Sequence, residues 1–363
     1  MFEHLPTPAL LLDIHRLERN IDQMQAVCDA HGVELWPHIK THKMVEVARR
    51  QLAAGARGLV CAKLSEAEAM LPAGARSMFI AHCLVDPLQA PRLRKLTEAL
   101  DELILACTSE AHAVALENLL AIANLRLPVM MAVDTGLGRE GARDVAAAVR
   151  LARLIARQPH MILHGVYTHE GHLYTRPSAS IDAAIADVHR RLLAVHEAIQ
   201  SALGLPTLRL WPGCSVSATR LAALPGVDVV RPGAYVFGDL ALTETTPVML
   251  WEQVGVTVLA TVIDRPAPGL ALIDAGTKVF TSDRTTQGIF ARELTCRDLC
   301  VTRCSEEHGF VTGEGVDALK IGERLRFVPA HICPVINLAD RVTVISDEAV
   351  VDQWTVDARG CVW

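Results

Sequence analysis

From about residue 15 to about residue 240, short apolar runs rich in β-branched residues alternate with longer stretches in which apolar positions recur at helical spacing. Runs of the first kind predict strands and those of the second predict helices. A first helix is predicted over 15–31, HRLERNIDQMQAVCDAH, with Gly32 as its stop. Eight strand candidates follow: VELWPHI, RGLVCA, SMFIAHC, ELILACT, LPVMMAVD, MILHGVYT, LRLWPG and VDVVRPG. Segments rich in Ala, Leu, Arg and Glu fill most of the gaps, among them MVEVARRQLAA, PLQAPRLRKLTEAL and IDAAIADVHRRLLAVHEAIQSAL. Eight strand–helix units predict an α/β fold of the (β/α)8 TIM-barrel type.

After Leu240 the texture changes to strand-like runs separated by turn residues, EQVGVTVLATVI, GLALIDAGTKVF, RLRFVP and RVTVI. These predict a second, mainly antiparallel β domain. The opening LPTPALLL is extended in character, because residues before Pro6 and Pro8 are pushed away from the helical region. The expected organisation is a barrel over 12–240, with 1–11 and 241–363 forming the β domain.

Composition narrows the partners. The 363 residues are 51% hydrophobic and 21% charged, ordinary globular usage that excludes disorder for most of the chain. A net charge of −6 without long like-charge runs argues against a nucleic-acid or anionic-membrane surface and for a small-molecule partner. Charges such as Glu117, Arg126 and Asp134 interrupt the apolar stretches, so no window reaches the roughly 18 uninterrupted apolar residues of a membrane span. The start lacks a basic segment followed by a long apolar core, and a cytoplasmic protein is expected. Ten cysteines without a C-x-x-C predict mostly buried thiols, Cys333 being the exception.

In such a barrel, reactive groups gather where strands end. Those ends carry His38 and Lys40, Lys63, His82, Thr108, Asp134 with Arg139, His169 with His172, the Gly213–Ser215 turn, and Gly233 with Tyr235. Lys40 follows an apolar strand, where desolvation favours the neutral amine that forms imines; the alternative is a solvated lysine starting a helix. WPHIKTHK packs two imidazoles and two amines into eight residues, which is costly to desolvate unless a ligand uses them. The turn PGCSVS offers backbone N–H groups to a phosphate, or is an ordinary strand-to-helix turn with a Ser cap. The next rim loop, RPGAYVFGD, repeats that chemistry, and adjacent late-strand loops are where barrels often hold phosphate. In the second domain, His331-Ile332-Cys333-Pro334 as an extended segment would place imidazole and thiolate on one side. The pair is either half of a metal site open to water or substrate, or a buried Cys beside a satisfied His. Glu306-Glu307-His308-Gly309 supplies supporting groups or is a polar turn.

These segments together carry a resemblance. T-P-A-L-L-L-D-x-x-x-L-x-x-N-I at the start, P-H-I-K-T-H-K at 37–43, D-T-G-L-G-R-E-G at 134–141, E-G-H at 170–172, R-P-G-A-Y at 231–235, D-A-G-T-K at 274–278, E-E-H-G at 306–309 and H-I-C-P-V-I-N-L at 331–338 span essentially the whole chain. The sequence resembles the D-threonine aldolase and D-serine dehydratase family of metal-activated, fold-type III pyridoxal phosphate enzymes, which is similar in architecture to alanine racemase. The resemblance implies that Lys40 is the internal aldimine lysine and that Arg139 lies near the cofactor's phenolic oxygen. It also brings the Gly213, Cys214 and Ser215 turn, with Gly233 and Tyr235, to the phosphate. His38, Tyr167 and His172 are further cofactor-binding candidates, and Tyr167, Tyr174 and His172 compete for the ring nitrogen. His331 and Cys333 would hold the metal, and Lys40 and His331 are the catalytic candidates. One departure is that the family's turn usually reads G-G-S or G-S-T where this chain has Gly213-Cys214-Ser215-Val216, so the number of hydroxyl contacts is open. Backbone N–H groups can suffice.

The resemblance implies a lyase acting on D-amino acids with a β-hydroxyl: D-serine, D-threonine or 3-hydroxy-D-aspartate. A thiolate ligand at 333 favours zinc over manganese or magnesium. The aldolase branch often has Asp at that place, so dehydration to a 2-oxo acid and ammonia is preferred, with retro-aldol cleavage to glycine and an aldehyde as the alternative. Racemization and a non-catalytic cofactor carrier are remoter alternatives. By resemblance alone, a head-to-tail homodimer with shared active sites is expected.

Overall fold

The computed structural model describes residues 2–363. The chain divides into two compact units, one of residues 23–40, 45–233 and 361–363, the other of residues up to 22, 41–44 and 234–360.

Strand β1 (Ala9–Asp13) belongs to the second unit. The first unit holds β2 (Glu34–Leu35), β3 (Leu59–Cys61), β4 (Ser77–Ile80), β5 (Glu102–Cys107), β6 (Leu127–Ala132), β7 (Met161–Tyr167), β8 (Arg209–Trp211) and β9 (Val229–Val230). Each lies inside one of the eight predicted runs. Strands β3 to β8 pair in parallel in chain order, and β2 pairs in parallel with β9. Two links close the circle. Val60 N–H donates to Pro37 O at 2.9 Å, and β8 meets the approach to β9 through Asp228 N–H to Leu210 O at 3.0 Å. The result is the expected TIM-type barrel, and most of its strands are apolar on both faces, as parallel strands covered by helices must be.

Aromatic side chains fill the barrel. The Trp36 and Trp211 rings lie 4.8 Å apart, and Phe79 meets Tyr167 and Trp211 edge-on at 5.2 and 5.7 Å. Gly165 lets β7 and β8 pair without a clash, because a Cβ there would lie 2.3 Å from Arg209 O. The outer helices start and stop by local chemistry. Ser109 and Asp144 accept N–H bonds at the starts of Glu110–Ala123 and Val145–Arg157, and left-handed Asn124 and Gly204 end Glu110–Ala123 and Ser178–Leu203.

The second unit is built on β1, β10 (Val256–Ala267), β11 (Leu270–Ile273), β12 (Ala291–Glu293), β13 (Cys300–Cys304), β14 (Gly309–Thr312), β15 (Arg324–Pro329), β16 (Arg341–Ser346) and β17 (Ala349–Thr355). Their order is β11-β14-β13-β12-β15-β10-β1-β16-β17, and β11 pairs back onto β10, closing six strands into a small antiparallel barrel. The opening segment is extended as expected. As β1 it lies between β10, antiparallel, and β16, parallel. All ten cysteines are free, five of them buried. No helix among the described residues is long and apolar enough to cross a membrane.

Candidate active site

Lys40 sits in a single 3-10 turn, Ile39–Thr41, shortly after β2. Ile39 is fully buried and His38 N–H donates to Pro232 O at 2.9 Å, so the turn is pinned from both sides while the Lys40 side chain stays partly exposed. The Lys40 N–H points to His38 Nδ1 at 3.4 Å. Lys40 also acts on His169, beyond the end of β7. Burial, then the Lys40, Arg231 and Arg139 charges, push His169 down to about 3 against a hydrogen bond to the Gly213 backbone. His169 is therefore a neutral imidazole. In the unfolded chain it titrates near 6.5, so its contribution to stability is complete above that pH and declines as pH falls toward 3. His169→Gln should lose less stability than the parent between pH 7.5 and 5, read as the shift in urea midpoint; an unchanged shift would remove His169 as a source of acid sensitivity.

The predicted phosphate turn leaves β8 at Pro212. Gly213 is required there: its φ is +142°, and a Cβ would lie 2.5 Å from Arg231 N. Two of the expected N–H donors are already engaged within the protein. Gly213 N–H donates to Glu170 Oε1 at 3.0 Å, and Gly233 N–H donates to Ser215 Oγ at 3.2 Å. Cys214 is buried and burial pushes its thiol up to about 12, so it packs as a neutral side chain.

Glu170 and Arg231 carry this corner, and neither was singled out as a site residue from sequence. Glu170 is fully buried; burial pushes its carboxyl up, while Arg231 and the Gly213 N–H pull the other way. Its Oε2 also accepts from Ser217 Oγ at 3.3 Å. The buried Arg231 guanidinium donates to Trp211 O at 3.3 Å and to Thr168 O, and stacks 5.1 Å from Tyr167 and 5.7 Å from Phe79. The Tyr167 hydroxyl is buried without a hydrogen-bond partner. Such a phenol suits a ligand carrying a polar ring atom. Tyr167 lines a small pocket with Asp134, Arg139, Thr168 and His169.

Arg139 belongs to the loop after β6, which Asp134 shapes. Burial works against ionisation of Asp134, yet the N–H groups of Gly136, Gly138 and Leu137 hold its carboxyl below the usual range. Arg139 is paired bidentately with Glu140 at 2.9 and 2.7 Å. His172, in the 3-10 turn Gly171–Thr175 after β7, packs against that loop at Gly136, where a Cβ would lie 3.0 Å from its Nε2. Its buried Nδ1 has no partner, and burial, then Arg176, lowers its pKa.

In the second unit, Tyr235 lies buried in a 3-10 turn, Ala234–Val236. His331 and Cys333 are together, though not by the alternation expected of an extended segment. Ile332–Leu338 is a helix with His331 as its extended N-cap (φ −144°, ψ 115°) and Cys333 in its first turn. Pro334 is no obstacle so early in a helix, and buried Asp239 accepts the Ile332 N–H at 3.0 Å. The His331 Nδ1 lies 2.7 Å from Asp283 Oδ2. Burial opposes ionisation of His331, but Cys333, Asp239 and Asp283 together push it up to about 10. Thr41 Oγ1 lies 3.2 Å from Cys333 Sγ. Among the described residues no group of three or more His, Cys, Asp and Glu is arranged to hold a metal. One imidazole and one sulfur are available here, a pair that would fit zinc with its other positions left for water or substrate. Glu306–Gly309 forms the polar turn between β13 and β14, with Ser305 N–H bonded to His308 O and Lys278 paired with Glu307.

Residues 12–241 match the family described as alanine racemase, N-terminal domain, and 255–345 match a serine dehydratase domain. D-threonine aldolase of Arthrobacter sp is 33% identical over 98% of this chain and 93% of its own. The chain belongs to the D-threonine aldolase and D-serine dehydratase family. D-threo-3-hydroxyaspartate dehydratase of Delftia sp. (strain HT23) is also 33% identical, over 91% of both chains, and its solved structure has a TM-score of 0.87 at 31% identity over 97% of each. The crystal structure of D-threonine aldolase from Filomicrobium marinum has a TM-score of 0.90 at 27% identity, covering 99% of this chain and 97% of that one. As a member of this family the protein is a pyridoxal phosphate-dependent lyase with an alanine racemase-like fold.

Proposed function

We propose that this lyase dehydrates a D-amino acid with a β-hydroxyl, releasing a 2-oxo acid and ammonia with the help of a divalent metal, most simply zinc. The observation that carries the proposal is Cys333 in the first turn of the helix that His331 caps, since a sulfur donor selects zinc over the oxygen-preferring magnesium and manganese. It is supported by the Delftia dehydratase, whose cysteine-to-alanine variant was solved in the metal-free form.

Lys40 would carry the cofactor, with the Gly213–Ser215 turn toward its phosphate and Tyr167 toward its ring. When bound, pyridoxal phosphate supplies an electron sink for the pair left at Cα. A dication on His331 and Cys333 would supply Lewis acidity. As a free amine, Lys40 would take the α-proton as general base. His169, held neutral by burial, adds no second positive charge beside that amine. The Gly213–Glu170 and Gly233–Ser215 bonds keep the phosphate loops in place. In the balance the α-hydrogen and the β-hydroxide leave as water, and hydrolysis of the resulting enamine, through its imine, takes up one water and frees ammonia.

Product analysis tests this. D-Serine, D-threonine and 3-hydroxy-D-aspartate should yield pyruvate, 2-oxobutyrate and oxaloacetate with one ammonia each, and chelation should stop turnover until zinc is returned. Glycine with an aldehyde as the main products would replace dehydration by retro-aldol cleavage, the reaction named for the Arthrobacter relative.

A further inference from the structure

The donor pair is held by a carboxylate far away in sequence. Asp283 lies in the segment after the short helix Thr277–Phe280, and its Oδ2 is 2.7 Å from His331 Nδ1. That segment is bent into place at a conformational cost. Thr281 has φ +70° and ψ −165°, a combination that essentially only glycine adopts without strain, yet here it is a β-branched residue. The Thr281 hydroxyl in turn accepts the Asp283 N–H at 3.3 Å. Strained backbone of this kind persists where the surrounding structure determines it, and here it aims a carboxylate at an imidazole. The other end of the pair is fixed through the main chain, Asp239 Oδ2 accepting the Ile332 N–H while its Oδ1 accepts from Leu242 N–H.

We infer that Asp283 is a positioning residue for the metal donor pair. By accepting the Nδ1–H of His331 it fixes the ring orientation, leaving Nε2 as the nitrogen that a metal would take in exchange for its proton. An imidazole whose second nitrogen donates to a carboxylate is a more basic and better oriented ligand than a free one. This inference rests on the assignment of His331 and Cys333 as the metal donors, and its test keeps the two apart.

Zinc affinity of the metal-stripped, full-length protein is measured by competition with a chromophoric chelator, with the thiolate-to-metal band of the cobalt-substituted protein as second readout. Asp283→Ala should weaken zinc binding roughly 10–100-fold, as loss of such an outer carboxylate does elsewhere, and should alter the cobalt band. Asp283→Asn, which keeps an acceptor without the charge, should recover part of the affinity, and the metal-free unfolding temperature of both variants should stay near that of the parent. His331→Ala and Cys333→Ala should bind no zinc at the site. If those two bind zinc like the parent, the donor assignment itself is wrong. If they lose zinc while both Asp283 variants keep parental affinity and an unshifted cobalt band, the donors stand and Asp283 has no positioning role. An Asp283→Asn defect as complete as that of His331→Ala also overturns the inference, because it would make Asp283 a direct ligand.

Discussion

Lys40→Ala should abolish turnover of D-3-hydroxy amino acids, with a loss of about three orders of magnitude or more, because in the proposed chemistry the variant loses both the cofactor-carrying amine and the general base. The substitution should leave the fold intact. The 3-10 turn at 39–41 is pinned by buried Ile39 and by the His38 N–H bond to Pro232 O, and the Lys40 bond to His38 uses the backbone N–H, which alanine retains. A thermal midpoint close to the parent's, together with loss of borohydride-reducible attachment of pyridoxal phosphate to the chain, is the expected pattern. Partial rescue of turnover by a small primary amine would show that an amine is the missing group. Near-parental turnover, or cofactor that remains covalently attached in the variant, would eliminate Lys40 as the carrier and with it the proposed chemistry.

The barrel was legible because its periodicity is local. Strands such as SMFI in β4 are buried at every position, and the helices between them carry their own start and stop signals, including Gly204 at the end of Ser178–Leu203. The extended character of the opening segment was also local, set by Pro6 and Pro8, and it holds as β1. His331 and Cys333 were legible as residue types but not as geometry. Two residues apart, they can be brought together by strand alternation or by an N-cap followed by a helical turn, and the choice is made by Asp239, 93 residues from the N–H it accepts. Asp283, 48 residues from His331, left no local trace at all. Glu170 and Arg231 stood in plain view within E-G-H and R-P-G-A-Y, yet a charged residue reads as exposed until its burial is seen. A usable signal was there: both lie where a barrel strand gives way to a loop, and both motifs belong to segments that already carried the resemblance.

Arg231→Met should destabilise the protein by about 3–5 kcal/mol, the cost of removing one member of a buried, hydrogen-bonded charge set. Methionine replaces much of the apolar stem, so the loss isolates the guanidinium. That group satisfies the carbonyls of Trp211 and Thr168, stacks on Tyr167 and Phe79, and supplies positive charge to fully buried Glu170. Without it two buried carbonyls lose donors at once, and Glu170 loses the charge that opposes its desolvation. Glu170→Gln alone should cost less, because the amide oxygen still accepts the Gly213 N–H. The double variant should be more stable than the sum of the two losses predicts, since an uncharged amide at position 170 no longer needs the guanidinium. Urea midpoints of the four proteins give the coupling directly. Gly213 is held on one side by Glu170 and approaches Arg231 N closely on the other, so the Arg231→Met protein should also bind pyridoxal phosphate more weakly, measured by cofactor titration of the stripped protein. A loss below about 1 kcal/mol, or strictly additive losses, would show that Arg231 and Glu170 stabilise this corner independently.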